Sequence, residues 1–88
     1  MAQEVSDIRN EMRAYVEENF LYLHPGLELA DGDQFLTLGI VDSLSFVELV
    51  EEIQERYEIA IEDVEITEEN LGSIDAITAF VASKRPTS

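Results

Sequence analysis

From Leu21 to Asp42 the chain runs for twenty-two residues without a sustained hydrophobic period. Set between two strongly periodic segments, this interruption constrains the fold more than any other feature. On its N-terminal side Val5, Ile8, Met12, Val16 and Phe20 recur at three- and four-residue steps, with Tyr15 beside them. That spacing predicts an amphipathic helix ending near Phe20, before the His24-Pro25-Gly26 breaker. On the C-terminal side a helix is predicted from Asp42-Ser43 to about Tyr57, with Phe46, Leu49, Val50, Ile53 and Tyr57 on one face. Asp42 is its expected N-cap, because a carboxylate there can accept from an orphan N–H of the first turn. A connection this long in an 88-residue chain points to function or to packing. Leu27, Leu29, Phe35, Leu36 and Leu38 are scattered through it, which predicts a segment lying along the bundle with one helical turn around Phe35.

Residues 58–66 carry alternating Ile59, Ile61, Val64 and Ile66. No second strand signal exists to pair with them, so they are expected to plug the bundle as an extended loop. Thr67 is expected to cap a short helix through Leu71. Ser73 should cap a last one, with Ile74, Ile77, Phe80 and Val81 inward and Lys84-Arg85 suiting the dipole at its end. The expected architecture is all-α, a four-helix bundle of three main helices, one short third helix and a long first loop. It should form one domain over 1–88, with 1–4 and 86–88 as loose ends.

Twenty acids against five bases give a net charge of −15, and ten of those acids lie between Glu48 and Glu69 with Arg56 as the single base among them. Such a surface repels phosphate backbones, so no nucleic-acid partner is expected; partners with basic docking faces are. Leu44 and Val47 fall opposite the core face of the second helix, in one stripe with Glu48, Glu51 and Glu55. Two apolar residues flanked by carboxylates there form a candidate docking patch. The chain has no cysteine. Its start does not resemble a signal peptide, and charges interrupt every apolar run. A soluble cytoplasmic monomer without membrane contact is the expectation.

Equipment for catalysis is sparse. His24, the one histidine, sits in a turn without an obvious orienting partner. Asp31-Gly32-Asp33 opens like a calcium loop, but Phe35 stands at the next ligand position and no glutamate follows at the twelfth. Glutamates 48, 51, 52 and 55 could gather divalent ions only weakly. No catalytic residue and no metal site are therefore expected. Ser43, at the start of the most acidic helix, could be merely a cap. A helix N-terminus also offers free N–H donors and a positive dipole end, a favourable setting for a phosphate ester.

Leu38-Gly39-Ile40-Val41-Asp42-Ser43-Leu44, followed by Phe46-Val47-Glu48-Leu49-Val50, resembles the acyl and peptidyl carrier proteins. These are small helical bundles that shuttle thioesters in fatty-acid, polyketide and nonribosomal-peptide synthesis. The resemblance covers nearly the whole chain. It implies that Ser43 receives 4′-phosphopantetheine from coenzyme A through a phosphopantetheinyl transferase, with Gly39, Asp42 and Leu44 as supporting motif residues. It further implies docking through Leu44, Val47, Glu48 and Glu51. The implied partners are a loading ligase or transferase for acyl or aminoacyl groups and downstream biosynthetic enzymes. Two residues, Ile40 and Val41, separate the glycine from the aspartate where the fatty-acid carrier has one. Glu51 and Glu52 also stand where that carrier has apolar or small residues. This longer form is similar to stand-alone carriers of specialised pathways and to the D-alanyl carrier. The alternative from another class is an acidic, non-catalytic interaction module in which Ser43 is only a cap; an enzyme ranks third.

Overall fold

The first predicted helix forms as α1, Ala2–Asn19, in the computed structural model, which describes residues 2–84 and the side chains of 5–84. Then come α2 (Phe35–Leu38), α3 (Ser43–Tyr57), α4 (Glu68–Leu71) and α5 (Ile74–Lys84), with 3-10 turns at Leu21–Leu23 and Asp63–Glu65. No strand occurs among the described residues, so the all-α expectation holds. Arg85 and the tail 86–88 lie outside the described residues, as does Met1; α1 already includes the backbone of 2–4.

Each helix buries the face that its period marks. Ile8, Met12, Val16 and Phe20 of α1 and its end are buried, and Val5 is half-buried. From α3 come Phe46, Leu49, Val50, Ile53 and Tyr57, and from α5 Ile74, Ile77 and Val81. Burial of one such side chain contributes roughly 1.5–3 kcal/mol, so this apolar cluster holds the bundle. Caps fall where expected: Thr67 Oγ1 accepts from Asn70 N at 3.2 Å, and Ser73 Oγ accepts from Ala76 N at 3.1 Å.

Two contacts set α3 against α1. The Tyr57 hydroxyl donates to Glu11, and the Arg56 guanidinium lies 5.7 Å from the centre of the Tyr15 ring. Burial raises the Tyr15 phenol pKa, and the carboxylates of Glu52 and then Glu48 raise it further. Glu11 on α1 thus faces the end of α3, whereas Tyr15, one turn onward, faces Glu52, more than one turn back. The two helices run antiparallel.

The long first connection is packed, as its apolar residues predict. Leu29 and Phe35 are buried, and Phe35 N–H donates to the Gly72 carbonyl at 2.8 Å. Gly72 must stay small at this junction of α4 and α5. A Cβ there would lie 2.5 Å from the Glu68 carbonyl oxygen and would also strike the Gln34 side chain. Asp31 ties the loop to both long elements beside it. Its carboxylate takes Arg9 at 3.1 Å and also Arg13, its carbonyl accepts from Asp75 N at 2.8 Å, and Arg9 reaches Asp75 as well.

Four details differ from the sequence-based expectations. Leu21–Leu23 forms a 3-10 turn inside the aperiodic stretch. Val64 does not plug the core; it is 83% exposed. Its segment forms a 3-10 turn closed by a capping box between Glu62 and Glu65, which turns the side chain outward while Ile61 stays buried. Phe80 is only half-buried, and Thr78 takes the inner place, its hydroxyl satisfied by the Ile74 carbonyl at 2.7 Å.

Candidate functional site

The approach to Ser43 is built by a reversal between α2 and α3. Gly39 closes α2 in the left-handed region at φ 77°, where a side chain would be strained. Ile40 N–H then donates to the Phe35 carbonyl at 3.1 Å, and the side chains of Ile40 and Val41 are both buried. The extra residue between glycine and aspartate is therefore an apolar anchor. It fixes the backbone immediately before the serine.

Asp42 caps α3. Its Oδ1 accepts from Ser45 N–H at 2.8 Å, and its carbonyl accepts from Phe46 N–H at 2.8 Å. The Ser45 amide, helped by the Ser45 hydroxyl, holds the Asp42 carboxyl below its ordinary range. Ser43 is thus the first residue of α3 and not its cap. Its side chain is exposed, and the hydroxyl makes no hydrogen bond to any described residue. Of the first-turn donors, the Asp42 side chain takes the Ser45 N–H. The dipole field, the earlier N–H groups of α3 and open solvent remain for a group on Ser43.

Around this hydroxyl the outer face of α3 is as predicted. Leu44 is 69% and Val47 49% exposed, and Glu48, Glu51 and Glu55 are exposed with them. All four described bases are engaged internally: Arg9 and Arg13 with Asp31, Arg56 with Glu52, and Lys84 with Glu65. Each described base is thus already paired with a carboxylate, and Glu48, Glu51 and Glu55 have no ion pair among the described residues. The Asp31-Gly32-Asp33 run is engaged elsewhere, and the His24 backbone closes the turn after α1. Asp31 serves the loop clamp, and Asp33 accepts from Ala30 N at 2.9 Å.

Sequence reasoning missed Tyr22 and Leu23, which the turn after α1 leaves 66% and 65% exposed. No periodicity in that stretch could have marked them.

No helix among the described residues is long and apolar enough to cross a membrane. Comparison with curated proteins and with solved structures finds no match. The family model described as "Phosphopantetheine attachment site" matches residues 12–81, which include α2, α3 and α4 in full. A match over most of the chain shows the family: this chain belongs to the phosphopantetheine attachment family, a carrier whose cofactor is covalently attached 4′-phosphopantetheine.

Proposed function

We propose that Ser43 is the residue that carries the phosphopantetheine, and that 1–88 acts as one carrier domain. The observation behind this reading is the state of two neighbouring serines. Ser45 is half-buried and its amide donates to Asp42, whereas the Ser43 hydroxyl is exposed and unengaged. The residues fit the group: an ester on Ser43 displaces no contact of the fold. Asp42 takes the Ser45 donor of the first turn, which leaves the dipole and the earlier N–H groups of α3 to favour a phosphate ester on Ser43. When bound, the arm supplies a thiol that holds acyl groups as thioesters. The chain has no thiol of its own.

The transfer from coenzyme A needs a phosphopantetheinyl transferase. The Ser43 oxygen forms the new bond to phosphorus, the pyrophosphate link of coenzyme A breaks, and the nucleotide half leaves. The protein then delivers acyl, aminoacyl or peptidyl units to enzymes of polyketide, nonribosomal-peptide or a related synthesis, after loading by a ligase or acyltransferase. The buried Ile40-Val41 pair, longer than the fatty-acid form, supports a specialised pathway. Docking through Leu44, Val47, Glu48 and Glu51 matches their exposure on one face, and the uncompensated charge favours fast, reversible encounters with basic surfaces.

Intact mass spectrometry after incubation with coenzyme A and a broad-specificity transferase tests the assignment. One phosphopantetheine adduct is expected on the wild type and none on Ser43→Ala. An adduct retained by Ser43→Ala would move the site elsewhere.

A further inference from the structure

The antiparallel register of α1 and α3 places the turn that follows α1. Tyr15 lies opposite Glu52. Past Tyr15, α1 continues to Asn19 and the 3-10 turn follows at Leu21–Leu23, while α3 runs from Glu52 back to Ser43, so both approach the same end of the bundle. Tyr22 and Leu23 therefore lie toward the Ser43 end of α3. Their exposure is not that of a fraying end. Leu23 N–H donates to the Phe20 carbonyl at 3.4 Å, His24 N–H to Leu21 at 2.9 Å and Leu27 N–H to His24 at 3.1 Å, and Phe20 itself is buried. Leu27 is exposed too. An ordered turn that holds three large apolar side chains in water beside a modification site has the form of a contact surface. Its surroundings carry one sign of charge. Glu18 and Glu28 are exposed nearby without an ion pair among the described residues, whereas Glu17 is paired with Arg13 at 3.5 Å.

We infer that Tyr22, Leu23 and Leu27 continue the apolar face of Leu44 and Val47 around the Ser43 end, and that the phosphopantetheinyl transferase seats on both parts. The inference rests on the assignment of Ser43. The charge specifies what the transferase offers: an apolar floor bordered by lysine or arginine. Contact on two sides of the serine fixes its orientation better than contact with α3 alone, because a single helix face leaves rotation about its own axis unconstrained.

The test is an NMR titration of the labelled apo protein with a broad-specificity transferase in the absence of coenzyme A. Signals of Tyr22, Leu23 and Leu27 should move in step with those of Leu44 and Val47. The double variant Tyr22→Ser with Leu23→Ser should keep its circular dichroism and melting temperature, while loading falls roughly tenfold in kcat/KM. Movement of Leu44 and Val47 alone, or loading of the double variant at the wild-type rate, overturns the inference. So does movement of the turn on dilution without transferase, which would assign the face to a second copy. A wild type that gains no adduct would instead remove the Ser43 assignment, and the titration then decides by itself whether the face binds.

Discussion

The Tyr57 hydroxyl donates a 2.7 Å hydrogen bond to Glu11 Oε1 and so ties the end of α3 to the middle of α1 across 46 residues. The Tyr57 ring is buried, so the two effects can be separated. Tyr57→Phe keeps the ring and removes the bond, at a cost of about 1 kcal/mol. In a domain of this size that lowers the melting temperature by roughly 4–8 °C. Thermal melts of the two proteins measure it; equal melting temperatures would show that the bond adds nothing beyond ring packing.

Asp31 joins the first loop to α1 through Arg9 and Arg13. Its carboxyl lies below the ordinary range, chiefly because of the Arg13 hydrogen bond and then the charges of Arg13 and Arg9, against some desolvation. A carboxyl whose folded pKa is depressed contributes stability above its unfolded value, near 4, and loses that contribution as pH falls through the folded value. Asp31→Asn should therefore destabilise the protein at pH 7 by about 1 kcal/mol or less, since the clamp is partly solvated. The gap from wild type should close as pH falls below about 4. Denaturant melts across pH measure this gap, and one that persists at the acid end would assign the effect to packing.

Val47→Asp and Glu48→Lys alter exposed positions on the outer face of α3, so fold and melting temperature should stay nearly unchanged. Loading by the transferase should slow in both. The deficit of Glu48→Lys should shrink as salt rises, because screening removes the steering that the wild type enjoys. Unfolding of either variant would show that these side chains support the core.

The interior leaves little room for a long acyl chain. Phe35, Phe46, Phe20 and Tyr57 are buried together with Leu49 and Ile53, and opening a dense core has a cost. The most buried ring is Phe35, from the first loop. Phe80, expected inward, is half-buried, as is Tyr15 beside the α1 core face. A small or polar cargo held outside, near Ser43, is the expected outcome. Chemical shifts of Phe35, Phe46 and Leu49 should barely differ between the holo form and forms carrying short or long acyl groups. Shifts that grow with chain length would place the chain inside the bundle.

The periodic helices were legible in advance because their signal is local. Phe46, Leu49, Val50, Ile53 and Tyr57 share a face at any helical rise, and Asp42 needs only its own neighbours to act as a cap. The Leu38 to Leu44 motif likewise lies in one short run that carries its meaning without the rest of the fold. Only the tertiary structure showed what irregular backbone does. Asp31 meets Arg9 and Arg13, 22 and 18 residues away, and no period in the loop could connect them. Val64 turned outward because a capping box of Glu62 and Glu65 closed a 3-10 turn around it, and that choice overrode an alternating pattern. Tyr22 and Leu23 became exposed because a 3-10 turn, which no period marks, closes the chain after α1. Helix faces follow from rotation per residue, which sequence contains. The partners of a loop follow from how those faces meet, and only the folded chain decides that.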